Sequence, residues 1–200
     1  LNTNLCLYFE KQIMKIALFA SGKGTNVENI IRYFNCNKSV NISIICSNNK
    51  NSGAILHAKS YQIPVVLLKK DDLSISNELV NKLNSNQIGL VVLAGFLLKI
   101  PRIFIQEFNG KIINVHPSLL PKYGGKGMYG DKIHELVLSN NEIKTGITFH
   151  YVNENYDEGE IISQYEIEID DNETLNSLKK KISREELLNY PKIISSFLNE

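Results

Sequence analysis

Apolar runs and amphipathic periods alternate along the chain from residue 15 to residue 116. The run KIALFA at 15–20 is almost wholly apolar, which is typical of a strand buried on both faces of a sheet. In TNVENIIRYF at 25–34 the apolar residues recur every three or four positions and indicate an amphipathic helix. The alternation continues, with predicted strands at 40–47, 64–68, 88–96 and 111–116 and predicted helices at 52–62, 74–86 and 101–109.

Beyond residue 116 the pattern changes. A loop rich in proline and glycine precedes a predicted helix at 131–140 and two strands, 146–152 and 160–169, whose short connection suits an antiparallel pair. The last predicted helix covers 172–198, and Pro191 should kink or split it. Strands separated by short helices imply parallel βαβ units. We therefore expect an α/β fold, a mostly parallel sheet with helices on both faces and antiparallel strands near the C-terminus.

The composition narrows the class of protein. The 22 basic and 21 acidic residues leave a net charge of +1, which argues against a nucleic-acid or membrane-surface protein held by bulk charge. Cys6, Cys36 and Cys46 lie far apart and show no metal-ligand spacing, so we expect reduced thiols, a cytoplasmic protein and no bound metal. No stretch approaches the roughly 20 apolar residues of a membrane helix.

The first thirteen residues, LNTNLCLYFEKQI, precede the first strong strand and lack the features of a signal peptide. We expect residues 1–13 to form an N-terminal extension outside the fold and residues 14–200 to form one domain. An edge strand at 5–9 is the alternative for the extension.

The segment ASGKGTN at 20–26 joins the first strand to the first helix. Gly22 and Gly24 allow a sharp turn and a close backbone approach to an anion, while the helix N-terminus supplies free N–H groups and partial positive charge. The pattern is neither a Walker loop nor a dinucleotide fingerprint, so a phosphate monoester is the favoured ligand. An ordinary strand-to-helix turn is the alternative.

Two later segments add candidate chemistry. Asn114 and His116 end a predicted strand and project from the same face, where a carboxamide and an imidazole could stabilise the oxyanion of a tetrahedral adduct. Taken alone, a histidine at a strand end is more often structural. Ser118 can cap or orient its neighbours, and nothing marks it as a nucleophile. The segment HYVNENYDEG at 150–159 offers a carboxylate that could pair with His116, unless it is simply a solvated hairpin loop.

In this order, the segments resemble the phosphoribosylglycinamide formyltransferase family of purine biosynthesis. The resemblance covers nearly all of residues 14–200 and implies a formyltransferase-type Rossmann-like fold. An Asn-x-His-Pro-Ser-Leu-Leu-Pro run with a downstream Asp-x-Gly is specific for folate-dependent formyltransferases, and HPSLLPKY favours the glycinamide enzymes over the methionyl-tRNA relatives. The similar segments are FASGKGTN, CSNN, VVLAGF, INVHPSLLPKY, GITFHYVNENYDEG and EELLNYP.

The resemblance implies that Asn114, His116 and Asp157 are catalytic. The amine of phosphoribosylglycinamide would attack the formyl carbon of 10-formyltetrahydrofolate directly, without an acyl-enzyme and without a metal. Asn114 and protonated His116 would stabilise the oxyanion. Asp157 would hold the imidazolium and help to move protons.

The resemblance also implies the binding residues. The substrate phosphate would lie on Gly24, Thr25 and Asn26, and Glu186 would bind the ribose hydroxyls. Ser118 and His150 are possible supporting residues. The folate would be bound by Phe96, Leu97, Leu98, Lys99, Ile100, Asn114 and Asp157.

The sequence departs from the family pattern at two places where the resemblance implies contact with the ligands. Leu98 stands where arginine is common, and the loop KYGGKGMYG at 122–130 is longer than usual. The glycines of this loop suggest a mobile lid. A formyltransferase acting on another amine, or a formyltetrahydrofolate deformylase, is the alternative function. We expect small-molecule partners only, with no nucleic acid and no membrane, and a monomer or homodimer.

Overall fold

The computed structural model describes residues 13–36, 39–69, 73 and 77–199. Within these residues, strands and helices alternate as far as His116, as the apolar pattern predicts. The strands are β1 (Met14–Phe19), β2 (Val40–Ser47), β3 (Val65–Leu67), β4 (Ile88–Leu93), β5 (Lys111–His116), β6 (Lys144–Tyr151) and β7 (Ile161–Glu168). The helices are α1 (Thr25–Phe34), α2 (Gly53–Ser60), α3 (Glu78–Ser85), α4 (Arg102–Glu107), α5 (Asp131–Ser139) and α6 (Leu175–Ser196), followed by a 3-10 turn (Phe197–Asn199).

The strands form one sheet in the order β3-β2-β1-β4-β5-β6-β7. Strands β1 to β5 are parallel, whereas β6 runs antiparallel to both β5 and β7. The predicted α/β class, with antiparallel strands near the C-terminus, is therefore confirmed. The chain winds outward from β1 to β3 and then returns to β4, so the strand order reverses between β1 and β4. A crevice opens at such a reversal, beyond the carboxyl ends of the strands.

Helices cover both faces of the sheet because the central strands are apolar on both sides. Ile16 and Leu18 of β1 pack into the cluster formed with α1, α2, α5 and α6. Ala17 and Phe19, the alternate residues of the same strand, pack into the cluster formed with α3 and α4. Each fully buried side chain of this kind contributes about 1.5–3 kcal/mol. The two layers hold the strand ends at fixed positions.

Most predicted boundaries agree with the structure to within three residues, and two features differ in kind. Strand β4 ends at Leu93, because Gly95 has a φ of 74° and turns the chain out of the sheet. Helix α6 continues through Pro191 from Leu175 to Ser196, so of the two predicted effects of this proline the split is wrong and the kink stays a prediction. Proline removes the N–H donor that the carbonyl four residues earlier would use. That carbonyl, on Leu187, instead accepts a hydrogen bond from Asn29 Nδ2 at 2.6 Å.

Some predictions fall outside the described residues. The extension at 1–13 lies there except for Ile13, which is exposed. The start of the helix predicted at 74–86 also lies there, and α3 is described from Glu78. Among the helices that the structure describes, none is both long enough and apolar enough to cross a membrane.

Candidate active site

A cleft of about 440 Å³ lies at the crevice where the strand order reverses. Four stretches line it: residues 95–100 after β4, the end of β5 with Pro117, residues 125 and 127–130 of the glycine-rich loop, and residues 152–153 and 155–157 after β6. Asn26 of α1 and Glu186 of α6 close one side. The structure thus brings residues from both ends of the chain to one cleft. The predicted lid lies beside the cleft, and its mobility stays a prediction.

Asn114 lies on β5 directly opposite His150 of β6. Asn114 Nδ2 contacts His150 Nε2 at 3.2 Å, and His150 Nδ1 lies 2.8 Å from the Tyr151 carbonyl. A carbonyl only accepts, so Nδ1 carries the hydrogen and Nε2 can accept from the amide. Burial lowers the pKa of His150 despite the opposing influence of the Tyr151 carbonyl and Asp157, which favours this neutral ring. The amide therefore keeps one N–H for a ligand.

His116 is buried at the end of β5, with both ring nitrogens facing oxygen atoms. Nε2 lies 2.8 Å from the Tyr123 carbonyl, so Nε2 carries a hydrogen and donates it. Nδ1 lies 3.4 Å from Asp157 Oδ2. This distance exceeds the usual 2.7–2.9 Å of a charge-assisted hydrogen bond. An imidazolium satisfies both acceptors, so a ligand oxygen at this histidine would have to share the Nδ1–H with Asp157 Oδ2.

The Asp157 carboxylate connects the histidine to the glycine-rich loop. Oδ2 accepts a hydrogen bond from the backbone N–H of Gly125 at 2.9 Å. Oδ1 lies 3.8 Å from Nε2 of His150. Burial by itself raises the pKa of Asp157. The hydrogen bond and charge of His116, with help from Gly125 and His150, outweigh burial and leave the pKa below its usual value. The group is thus an anion held beside an imidazole.

The Asp-x-Gly pattern has a steric cause. Asp157 adopts the left-handed region with a φ of 57°. Two residues later, a Cβ on Gly159 would lie only 1.7 Å from the Tyr151 carbonyl oxygen. Only glycine allows the loop to pass this close to β6. The turn is held further by Asn155, whose Nδ2 donates to Glu158 Oε2 at 2.8 Å. These constraints place Asp157 over the end of β5.

The glycine turn before α1 has the form of an anion site. Gly24 is the N-cap with a φ of 78°, and no side chain caps the helix. A Cβ on Gly24 would lie 2.5 Å from the backbone nitrogen of Ala54, so no other residue fits. The first N–H groups of a helix have no partner within it and favour an anion. Asn26 lines the cleft, whereas Thr25 is exposed and Gly24 is buried.

Glu186 lies beside this turn. Asn26 Nδ2 donates to Glu186 Oε2 at 2.8 Å, while Asn26 Oδ1 is buried without a hydrogen-bond partner. Burial raises the pKa of Glu186, although the hydrogen bond from Asn26 and the charge of His116 oppose the shift. Of the predicted phosphate and ribose residues, Asn26 and Glu186 therefore form one polar end of the cleft, whereas Gly24 and Thr25 do not line it.

The residues predicted to bind folate form the opposite, more apolar end of the cleft. Phe96 packs edge-on against Phe19 with ring centroids 5.3 Å apart. Lys99 Nζ lies 5.3 Å from the ring centroid of Tyr156. Leu97 is exposed and Ile100 is buried. All seven residues predicted to bind folate line the cleft: Phe96, Leu97, Leu98, Lys99 and Ile100 at this end, and Asn114 and Asp157 at the catalytic groups.

Sequence reasoning missed Ser21, which joins the two ends of the cleft. Ser21 Oγ donates to Asn48 Oδ1 at 2.6 Å and accepts from the backbone N–H of Leu97 at 2.9 Å. Its backbone N–H donates to the Gly95 carbonyl at 3.0 Å. The position of Ser21 between a buried strand and two glycines was the available signal, but the distant partners were not visible in the sequence.

Ser118 is buried and supports the site from behind. Its Oγ donates to the Lys122 carbonyl at 2.7 Å, and its own carbonyl accepts from Thr148 Oγ1 at 2.7 Å. The loop so fixed turns the Tyr123 carbonyl toward His116. Ser118 does not line the cleft, which agrees with an orienting role. Within the described residues, no group of three or more His, Cys, Asp or Glu side chains could hold a metal ion.

Comparison with known proteins gives a consistent result. Residues 14–194 match the formyl transferase family. The chain is 38% identical to the chloroplastic phosphoribosylglycinamide formyltransferase of Arabidopsis thaliana, over 96% of this chain and 68% of that protein. It is 32% identical to the phosphoribosylglycinamide formyltransferase of Bacillus subtilis, over 92% of this chain and 94% of that one. The crystal structure of the Anaplasma phagocytophilum phosphoribosylglycinamide formyltransferase is similar, with a TM-score of 0.83 at 32% identity, over 94% of this chain and 88% of that one.

Proposed function

The chain belongs to the formyl transferase family, and we propose that it transfers the formyl group of 10-formyltetrahydrofolate to the amine of phosphoribosylglycinamide. It is a transferase of purine biosynthesis with 10-formyltetrahydrofolate as its co-substrate. The proposal rests on one observation. Asn114, His116 and Asp157 lie together in one cleft, between a polar end beside a helix N-terminus and an apolar end.

The reaction begins with direct attack of the amine on the formyl carbon. A C–N bond forms, and the π electrons of the carbonyl move to its oxygen. The free N–H of Asn114 and the Nδ1–H of His116 donate to this oxyanion, because both groups line the cleft. Asn114 keeps its contact with His150 and His116 its contact with the Tyr123 carbonyl, while the oxyanion shares the Nδ1–H with Asp157. Each such donor contributes about 3–4 kcal/mol to the transition state.

Asp157 has two tasks in this proposal. Its negative charge stabilises the imidazolium of His116, from which it is separated by 3.4 Å. Its carboxylate also takes the proton that the amine loses on attack. When the tetrahedral adduct collapses, the electrons on the oxyanion re-form the carbonyl, and the bond from the formyl carbon to the folate nitrogen breaks with its electron pair going to nitrogen. That nitrogen receives, through water, the proton that Asp157 took from the amine. Atoms and electrons balance without an acyl-enzyme.

The two ends of the cleft divide the substrates between them. The phosphate binds at the glycine turn with Gly24, Thr25 and Asn26, and Glu186 accepts hydrogen bonds from the ribose hydroxyls. The folate binds along residues 96–100, with Asn114 and Asp157 at its formyl group. This arrangement places the amine and the formyl carbon between the three catalytic groups.

Three further points belong to the proposal. The protein acts as a single domain over residues 14–200, as a monomer or homodimer with small molecules as its only partners. Its location is cytoplasmic, although the plant relative named above is chloroplastic. No nucleic acid or membrane is involved.

The test is an assay of formyl-donor consumption by the purified protein. Consumption of 10-formyltetrahydrofolate only in the presence of phosphoribosylglycinamide supports the proposal. Consumption in its absence would indicate a deformylase. Consumption only with a different amine would move the protein to a related formyltransferase activity, and both of these results contradict the proposal.

A further inference from the structure

Two asparagines of α1 hold the part of α6 that carries Glu186. Asn26 Nδ2 donates to Glu186 Oε2 at 2.8 Å, and Asn29 Nδ2 donates to the backbone carbonyl of Leu187 at 2.6 Å. The asparagines are three positions apart on α1 and so lie on one face of it. Their two hydrogen bonds reach consecutive residues of α6. Helix α6 is thereby fixed against the helix that begins at the glycine turn.

Pro191 leaves the Leu187 carbonyl free to accept this hydrogen bond. It lies four residues later within α6, and proline has no N–H to donate to that carbonyl. Asn29 supplies the missing donor from another helix. A residue with an N–H at position 191 would compete with Asn29 for the same oxygen.

Tyr190 attaches the same turn of α6 to the sheet. Its hydroxyl donates to the Leu93 carbonyl at 2.9 Å in a fully buried contact. Leu93 is the last residue of β4, directly before the loop that lines the apolar end of the cleft. The segment EELLNYP therefore carries Glu186 and two of the features that fix its position, Tyr190 and Pro191.

We propose that Asn29 is a positioning residue for Glu186. It does not line the cleft, and it acts by occupying the carbonyl that Pro191 leaves free. The hydrogen bond sets the rotation and depth of α6 against α1, and so sets where the Glu186 carboxyl meets the substrate. Only the substrate-related part of this inference rests on the proposed function.

The first test is a stability cycle that needs no substrate. Asn29→Leu keeps the side-chain size but removes the donor, and Pro191→Ala restores an N–H for the Leu187 carbonyl. In the otherwise native protein, Asn29→Leu should lower the folding equilibrium constant roughly fivefold to tenfold, the usual effect of losing one hydrogen bond. In the Pro191→Ala background, the same change should cost less than about threefold, because the carbonyl keeps a donor. Equal losses in the two backgrounds would overturn the inference.

The second test separates positioning from simple stabilisation. Asn29→Leu should raise the KM for phosphoribosylglycinamide about tenfold and change the KM for 10-formyltetrahydrofolate less than about twofold, as expected when one hydrogen bond that orders the first site is lost. The control is Asn84→Leu on the other face of the sheet. It removes a similar bond, from Asn84 Nδ2 to the Glu107 carbonyl at 2.7 Å, together with the bond that Asn84 Oδ1 accepts from the Asn109 N–H at 3.0 Å. It should leave both KM values unchanged.

The contradicting results are distinct from a failure of the proposed function. If Asn29→Leu raises both KM values alike, or neither, or if Asn84→Leu has the same effect on KM, Asn29 is not a positioning residue. If the native protein transfers no formyl group, the proposed function fails. The stability cycle then still decides whether Asn29 and Pro191 are coupled.

Discussion

Replacing Asp157 by asparagine gives a sharp prediction about catalysis. The change removes one negative charge and preserves the shape of the side chain. The amide oxygen can still accept the Gly125 N–H, so the loop should keep its position. What is lost is the attraction between the carboxylate and the His116 imidazolium.

The size of the effect follows from the geometry. Oδ2 of Asp157 lies 3.4 Å from Nδ1 of His116, and only 12% of the Asp157 side chain is exposed. Two unit charges at that separation attract by about 5 kcal/mol at an effective dielectric constant of about 20. Part of this attraction already exists before reaction. We therefore expect kcat to fall about 10²- to 10³-fold, which corresponds to about 3–4 kcal/mol.

The assay is kcat at saturating concentrations of both substrates, followed by consumption of the formyl donor. The matched control is Asp171→Asn, the same chemical change at an exposed residue in the turn after β7. The control should keep full activity. A kcat for Asp157→Asn within threefold of the native value would refute the electrostatic role assigned to this carboxylate.

Three other predictions concern stability and binding. Gly24→Ala should destabilise the fold by about 2 kcal/mol or more, because alanine has no room at this position with a φ of 78°. The same change should weaken the binding of phosphoribosylglycinamide measured by calorimetry, and native affinity would contradict this. Tyr190→Phe should cost about 1–3 kcal/mol in urea unfolding, since the buried Leu93 carbonyl loses its donor, and an unchanged midpoint would argue against that bond. Burial lowers the pKa of both His134 and His150 in the folded protein. As the pH falls below about 6.5, these two histidines therefore take up protons in the unfolded chain before they do so in the folded protein. Protonation of Glu186, whose pKa burial raises, has the opposite effect on stability, so the measurement is made on a Glu186→Gln variant. Its free energy of unfolding should decrease between pH 7.5 and pH 5.5, and a constant value over that interval would count against two buried neutral histidines.

The sequence predicted the elements best where an apolar run ends at a polar residue. Helix α1 at Thr25–Phe34 and strand β2 at Val40–Ser47 have the predicted bounds for this reason. Strand β4 was predicted too long because Ala94 and Phe96 continue the apolar run beyond the ladder. Ala94 is buried and Phe96 lines the cleft, so both positions are apolar although neither belongs to the strand.

The candidate site was less accessible to sequence reasoning. Spacing placed Asn114 and His116 on one strand face, and the segment 150–159 offered a carboxylate that could pair with His116. Asp157 was singled out as that carboxylate only through the family resemblance. Nothing in the sequence indicated that the Tyr123 carbonyl contacts His116, because the direction of that carbonyl depends on a left-handed backbone at Tyr123, with a φ of 57°. The contact of Ser21 with Asn48 likewise joins strand ends that meet only in the folded sheet.

The central claim is that Asn114 and His116 act together on one formyl oxygen, and it is tested most directly by measuring kcat for Asn114→Ala, His116→Ala and the double variant. We expect each single change to lower the rate of formyl transfer at least about 10²-fold. The double variant should be only slightly slower than the slower single variant, since the two groups serve the same oxyanion. Full activity in either single variant, or losses that multiply in the double variant, would contradict the claim.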